Sequence, residues 1–362
     1  MSSCAETFII QLGAGKVGSP LARLLFEHRE HIADDSGVRL RYGGILRSNT
    51  MTFGDDGARR SIEQGSTAAD WTTREPGLSL DALNPIFDRF GQPSDTHYLM
   101  VDATATSETA SILLEALGTG IPVVTANKIP LAEIPGWFDH ARAASRRTRA
   151  PFRYGCTVGG SLPVISTLHD LLETGDTVLA VTALCSSSLS CIMGNVNRGV
   201  TLERAIADAA QRGFAEPDPL VDLAGRDALR KMVILAKTVG MAVSMEDVEQ
   251  EPLLDRTYID FQDFRDHGME RLTERLQSAR RPGNVSYYVG IIEAGAQPVL
   301  AMHSYPDTSV WGTLEPSENL FLFSTSRFGD VPVSVRGTGG GPLLTASGVL
   351  ADIIKAAQVS RW

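Results

Sequence analysis

The sequence predicts an α/β chain of two domains, an N-terminal doubly wound parallel sheet followed by a second domain of α+β type. Three observations carry that expectation. An apolar strand run, TFIIQL at Thr7 to Leu12, passes directly into GAGKVG and then into the helically spaced PLARLLFEH. Two more apolar runs, HYLMVDATAT (His97 to Thr106) and IPVVTANK (Ile121 to Lys128), flank the helical SETASILLEALGTG, and strands that alternate with helices build parallel sheets. From Pro151 onward, amphipathic helices are interspersed with strands of alternating character, the mark of a sheet backed by helices. At 362 residues and 43% hydrophobic content, the chain can bury a sizeable core and is long enough for two domains.

The first turn is the most informative part of the N-terminal half. In GAGKVG, Gly13 permits the turn, Gly15 lets backbone approach a pyrophosphate, and Gly18 lets the helix pack close to the strand. With Ala14, Lys16 and Val17 these form the dinucleotide-binding loop of a Rossmann-type domain, the anion sitting on unpaired amides at the helix N-terminus. Ligands of such sheets lie beyond the carboxyl ends of the strands. That rule brings Ala103, Thr104, Asn127 and Lys128 to the cofactor. The second strand lies in VRLRYGGILRSN, Val38 to Asn49, and ends in Arg47, Ser48 and Asn49 instead of the acid that would bind the ribose of NAD. Arg47 is a candidate clamp for a 2′-phosphate; an exposed arginine at a loop start is an equal alternative. NADP is therefore the expected cofactor, with NAD as the alternative. Residues 53–96 carry no motif and should supply a helix or two and surface loops.

In the second half, RYGCTVGGSLPVISTLHDLLETGD opens a helix from a glycine-rich turn, and TVLAVTALCS forms a strand before SSLSCIM and the amphipathic TLERAIADAAQRG. The later strands VSYYVGIIEA, PVLAMHSY, LFLFST and VPVSVR alternate as in a sheet with one polar face. The segment from Gly337 to Ile354, GTGGGPLLTASGVLADII, is another glycine loop running into a helix. Its amides, at Gly339 and Gly340 above all, can approach a cofactor, and the helix is expected to pack back on the nucleotide domain. The expected division is 1–150, 151–330 and a returning segment 331–362.

The segment GFAEPDPLVDLAGRDALRK, Gly213 to Lys231, concentrates the chemistry. Pro217 and Pro219 keep Glu216 and Asp218 out of helical geometry. An ordered loop from Phe214 to Gly225 should thus present Glu216 and Asp222, with a helix beginning near Asp227. Asp227 and Lys231 stand one helical turn apart on one face. Alone they would be a surface pair worth about 0.2–0.5 kcal/mol; beside Glu216 and Asp222 on a stiff loop they read as an active-site segment.

A net charge of −10 argues against nucleic acid and anionic membrane as partners. No apolar run reaches the roughly 18–20 residues of a membrane span, and the N-terminus lacks a signal-peptide pattern. Cys4, Cys156, Cys185 and Cys191 show no CxxC spacing and no pairing with histidine. Reduced, mostly buried thiols and a cytoplasmic location are expected, without metal catalysis.

Together GAGKVG, VVTANK, TVGGSLP, the Glu216 to Lys231 segment and GTGGGPLLTASGVLAD resemble homoserine dehydrogenases of the short type without a regulatory extension. The resemblance spans nearly the whole chain apart from Thr50 to Asp95. It implies reversible, NAD(P)-dependent conversion of L-homoserine and L-aspartate 4-semialdehyde, in the amino-acid biosynthesis that leads to threonine and methionine. It also implies a homodimer formed through the second domain. Lys231 and Lys128 would be the catalytic lysines, while Glu216, Asp222 and Asp227 would hold substrate or orient Lys231. The family binds a monovalent cation, commonly sodium, through carbonyls matching Gly155, Val158, Gly160 and Leu162; glycine at 155 replaces an acidic residue. The pocket departs from the family at Ser187 and Ser188, which stand for Gly-Thr at the substrate carboxylate. Cys191 stands for an aromatic and Phe214 for a tyrosine. A reductase of a related small amino-acid aldehyde is the alternative these changes raise. A catalytically silent NADP-binding protein or a structural role built on the dimer is disfavoured by the retained lysines and carboxylates, because an idle site has no need of buried charge.

Overall fold

The computed structural model describes residues 6–47, 50–63, 78–216, 218–279 and 281–359. Cys4, Ser48, Asn49 and Pro217 lie outside the described residues. Contacts divide the chain into two compact units, Met1–Ser161 with Pro342–Trp362, and Leu162–Gly341.

The first unit runs β1 (Glu6–Leu12), α1 (Gly18–Ser36), β2 (Arg39–Arg47), β3 (Thr50–Phe53), α2 (Gly54–Glu63), α3 (Asn84–Phe90), β4 (His97–Asp102), α4 (Ala110–Thr119), β5 (Val123–Thr125), α5 (Lys128–Ala132), α6 (Trp137–Thr148) and β6 (Phe152–Arg153). The C-terminal helix, Pro342–Val359, completes it. Its sheet has the order β3-β2-β1-β4-β5-β6. β3 is antiparallel to β2 and the other pairs are parallel. β1 lies between β2 and β4, so the winding reverses at its carboxyl end, where a ligand crevice forms in such sheets. Leu12 there pairs with Leu46 on one side and with Asp102 on the other.

The C-terminal helix has a mean hydropathy of 1.2 and by length and composition could cross a membrane, against the expectation that no run is long and apolar enough. Here Ala346, Val349, Ile353 and Ala356 form a buried stripe within the first unit's core, beside Leu21 and Leu25 of α1. That burial accounts for its apolar character.

Both expected boundaries shift. The first moves from 150/151 to 161/162, because β6 extends the first sheet by pairing with β5. The 3-10 turn Gly155–Thr157 then anchors on the C-terminal helix, the Gly155 amide donating to Asp352 Oδ2 at 2.9 Å. The second moves from 330/331 to 341/342, because the strand run VPVSVR belongs to the second sheet.

The second unit runs α7 (Val164–Glu173), β7 (Val178–Leu184), α8 (Ser187–Asn197), α9 (Leu202–Gln211), α10 (Pro219–Leu223), α11 (Arg226–Thr238), β8 (Glu249–Gln250), α12 (Phe261–His267), α13 (Met269–Ala279), β9 (Asn284–Glu293), β10 (Val299–Pro306), β11 (Glu318–Thr325) and β12 (Val333–Thr338). The sheet order is β12-β11-β7-β9-β10-β8. Neighbours are antiparallel except β10 with β8. Gly290 marks the face that carries helices, since a Cβ there would lie 1.8 Å from Met232 Sδ of α11. By register, Ala183 and Leu300 share that face and Thr182, Leu322, Ile291 and Val299 share the other. The expectation of a polar second face holds at the edge strand β12, whose Ser334 and Arg336 are exposed on it. It is corrected for β7, β9 and β10, where that face is mostly apolar (Ile291, Val289, Val299 and Ala301 among others), and Trp311 lies flat on Tyr305 of this set, 4.0 Å between ring centroids.

Candidate active site

Each unit brings together its own set of candidate residues. In the first, the glycine loop is shaped from below by Gln11, a fully buried residue whose Nε2 donates to the carbonyls of Gly13 (2.7 Å) and Gly18 (3.0 Å). Tyr42 donates to its Oε1 at 2.8 Å. A polar side chain inside an apolar strand just before GAGKVG was the available sequence signal for Gln11, and sequence reasoning missed it. Gly13 takes φ +88°, and a Cβ would meet Thr104 Cγ2 at 2.9 Å. At Gly15 a Cβ would meet nothing within 4 Å, so its backbone faces open space. α1 begins at Gly18 after Val17, which gives no side-chain cap. Its Ser19 amide donates to the Gly15 carbonyl at 3.1 Å and Pro20 carries no N–H, so it is the loop backbone around Gly15 that faces the open space. These features fit a bound pyrophosphate. Lys16 is exposed on the loop and Ala14 is buried beneath it.

Gly18 is held by close packing, since a Cβ would lie 2.3 Å from the Gly13 carbonyl oxygen and 2.8 Å from Gln11 Nε2. Gly18→Ala should therefore displace the loop, lowering stability by about 1–3 kcal/mol and weakening NADPH binding. Denaturant unfolding together with fluorescence titration checks this; unchanged values for both would show that the loop can yield.

Beyond β4 and β5, Asn127 caps α5 by accepting from the Ile129 amide at 3.1 Å, which puts half-buried Lys128 at the first helical position. Ala103 donates its amide to Leu12 O at 2.9 Å, and Thr104 packs on Gly13. Arg47, at the end of β2, turns its guanidinium to the Ser61 carbonyl of α2.

In the second unit, α11 carries Lys231, only 8% exposed. Its Nζ lies 2.6 Å from Asp227 Oδ2 and donates to the Cys185 carbonyl at 2.9 Å. Burial opposes the charge most strongly, but Asp227, Cys185 and Asp222 together outweigh it and hold the lysine above its ordinary range. A solvated surface pair is thereby excluded. Cys185 lies in the β7–α8 turn that also presents Ser187 and Ser188, so the lysine is tied to their turn.

The expected loop from Phe214 to Gly225 contains a helical turn, α10. Asp218 caps it, accepting from the Leu220 amide at 3.0 Å, and Pro219 occupies its first position. A proline read as excluding helix upstream thus starts one downstream. Asp222 sits on α10, where its Oδ2 accepts from the Glu216 amide at 2.8 Å. Burial pushes its pKa up, opposed by hydrogen bonds from Ser188 and the Glu216 amide. Glu216 itself is exposed.

Both substituted serines are engaged. Ser187 Oγ donates to Asn319 Oδ1 at 2.9 Å, and Ser188 Oγ lies 3.2 Å from Ser186 Oγ and bonds Asp222. Gly339 and Gly340, expected at the cofactor, pack within the second unit. A Cβ at 339 would lie 1.7 Å from Asn319 Oδ1, and one at 340 would lie 2.5 Å from Ser187 Oγ and 4.0 Å from the Phe214 ring. Phe214 also carries the Arg212 guanidinium 5.0 Å above its ring. Asn319, fully buried and far in sequence from Ser187, was a second residue that sequence reasoning missed. Cys191 is buried in α8, with Arg212 donating to its sulfur at 3.8 Å.

At the loop proposed for a cation, the Asp352 carboxylate fills the space that a side chain at 155 would need, 2.8 Å from a Cβ there. The acid that the family carries at this position thus has no room here. Val158 is fully buried, and the Gly160 carbonyl oxygen would lie 2.6 Å from a Cβ at Gly348. Leu162 belongs to the second unit.

A homoserine dehydrogenase family model matches residues 163–354, more than half of the chain. The bifunctional aspartokinase/homoserine dehydrogenase 1 of Zea mays chloroplasts is 30% identical over 357 residues, covering 95% of this chain and 38% of that protein. The chain spans about two fifths of the length of the curated relatives it matches. A putative homoserine dehydrogenase structure from Archaeoglobus fulgidus is similar at TM-score 0.76 and 24% identity, covering 97% of this chain and 98% of that one. A hyperthermophilic archaeal homoserine dehydrogenase in complex with NADPH gives TM-score 0.70 at 24% identity, covering 97% of each chain. At these identities the structural likeness is one of fold.

Proposed function

The chain belongs to the homoserine dehydrogenase family, and from that membership we propose that it is an NAD(P)-dependent oxidoreductase interconverting L-homoserine and L-aspartate 4-semialdehyde. The observation that carries this reading is Lys231, buried, charged through Asp227 and anchored on the turn that presents Ser187 and Ser188. Bound NADPH supplies the hydride. The chain's own groups bind the amino acid and handle the proton. Lys231 Nζ donates its proton to the aldehyde oxygen as that oxygen gains negative charge. Asp227 keeps it charged between turnovers, and the family resemblance gives Lys128 of the first unit the role of a second catalytic lysine. Asp222 and Glu216 accept from the substrate ammonium. Its carboxylate takes the first amides of α8, at Ser187 and Ser188, which have no acceptor within the helix.

NADP is the preferred cofactor in this reading because no acid ends β2 and Arg47 stands there. Arg47→Ala should weaken NADPH by several-fold more than NADH, since only NADPH offers a phosphate to a guanidinium. Parallel titrations with both cofactors check it, and equal losses would assign Arg47 to holding α2 alone. An alkali cation on the 155–162 carbonyls would be an accessory to the fold of that loop and takes no part in these steps.

The half-buried apolar residues on the second face of β7, β9 and β10, such as Ile291 and Val299, support a homodimer through this sheet. Light scattering at several concentrations tests this. A cytoplasmic location with no membrane partner completes the proposal.

The direct test of function is steady-state oxidation of NADPH with aspartate 4-semialdehyde, and the reverse reaction with homoserine. Turnover with both supports the assignment. Activity confined to another small amino-acid aldehyde would move the substrate and keep the reaction type, and cofactor binding without turnover would leave only a nucleotide-binding protein.

A further inference from the structure

We propose that Asp102 is a positioning residue for Lys128, acting through the side chain of Asn127. The inference rests on the reading that Lys128 serves the reaction. Asp102 ends β4 and is fully buried. Its Oδ1 accepts from the Thr104 amide at 2.9 Å and from Thr104 Oγ1 at 2.6 Å. Oδ2 accepts from Thr109 Oγ1 at 2.8 Å and from Asn127 Nδ2 at 3.1 Å. Four donors thus face the carboxylate, which accepts on both oxygens and donates nothing when ionised. Burial pushes its pKa up and these bonds oppose the rise. The threonine hydroxyls can also accept, but the Thr104 amide on Oδ1 and Asn127 Nδ2 on Oδ2 can only donate, so a proton on either oxygen competes with one of them.

The other end of Asn127 is equally fixed. Its Oδ1 accepts from the Ile129 amide at 3.1 Å, and its Nδ2 also donates to the Thr106 carbonyl at 2.7 Å. With acceptors on one side of the amide and a donor on the other, the side chain has one orientation. The first turn of α5, which begins at Lys128, is therefore tied to the end of β4. Thr104, ordered by the same carboxylate, packs on Gly13. One buried charge thus sets both the glycine-loop wall and the origin of the Lys128 side chain. A neutral amide of the same shape cannot do this, because its NH2 would face a group that can only donate.

Asp102→Asn tests the proposal in the intact protein. Its kcat should fall on the order of tenfold, the effect of one buried donor left without an acceptor, and amide hydrogen exchange over residues 128–132 should speed up. The deciding measurement is a cycle with Lys128→Met: if Asp102 acts through Lys128, Asp102→Asn adds little to the loss already present in Lys128→Met. Losses that multiply, or unchanged exchange over 128–132, would overturn the proposal. Asn127→Asp, which keeps the cap but sets carboxylate against carboxylate, should reproduce both effects and serves if Asp102→Asn does not fold; wild-type kcat and exchange in that variant would overturn it equally. If the wild type turns over neither homoserine nor its semialdehyde, the family reading fails, and the exchange arm still decides whether Asp102 holds α5.

Discussion

Lys231→Met is expected to lower kcat for aldehyde reduction by about 10²–10⁴-fold, the usual contribution of a positioned general acid, while NADPH affinity stays near wild type. Methionine fits the space of the lysine stem, which is almost fully buried in α11, so the change removes the charge and proton without opening a cavity. It leaves Asp227 Oδ2 and the Cys185 carbonyl without this donor. Asp227 is partly exposed and can be rehydrated, so the stability loss should be small. The pH dependence gives a second check. Because Asp227, with Cys185 and Asp222, holds Lys231 above its ordinary range, the acid remains protonated below that range, and reduction should show no alkaline loss from this group until pH passes the ordinary lysine value of roughly 10.4. Asp227→Asn removes the leading part of the offset, Cys185 and Asp222 remaining, while burial stays, which should bring that loss to lower pH. Near wild-type kcat in Lys231→Met would place the proton donor elsewhere, and Lys128 would be the next residue to test.

What could be read from the sequence was local, and what could not was relational. TFIIQL, GAGKVG and the helix behind them follow one another within a few residues, and the period of each is set by its own side chains. The parallel sheet and the cluster from Glu216 to Lys231 were legible for that reason. β3, β6 and β8 were not, as a strand of two to four residues shows no periodicity and exists only because a neighbouring strand offers it a ladder. α10 was hidden because the same proline that bars the residue before it from a helix is well placed at a helix start. Gln11, Asp102 and Asn319 are polar residues within apolar strands. Their roles depend on partners such as Gly18, Asn127 and Ser187, which no spacing rule connects to them. The expected polar face of the second sheet held at β12 but not at the central strands, for a related reason: alternation shows that a strand has two kinds of face, but not that one of them meets water.

The substituted serines give the sharpest expectation about the pocket. Sequence comparison alone suggests that Ser187 intrudes where the family has glycine and that Ser188 donates its hydroxyl to the substrate carboxylate. The structure assigns the hydroxyls otherwise. Ser187 Oγ is committed to Asn319 and glycine keeps the backbone amide proposed to meet the substrate carboxylate, so Ser187→Gly should leave the KM for homoserine within about twofold. Ser188 Oγ bonds Asp222, the proposed acceptor of the substrate ammonium. Ser188→Ala should therefore raise the homoserine KM by the equivalent of about 1.5–3 kcal/mol, the value of a hydrogen bond to a charged group, through disorder of that carboxylate. Direct donation to the substrate would give a similar loss, so the cycle with Asp222→Asn separates the two. If Ser188 acts through Asp222, the double variant should be little worse than Asp222→Asn alone. If it contacts the substrate carboxylate independently, the two losses should multiply, and the assignment of that carboxylate to the first amides of α8 would fall. A gain of homoserine turnover on Ser187→Gly from a wild type that lacks it would mean that the hydroxyl does reach the pocket and that the native substrate is another small amino aldehyde.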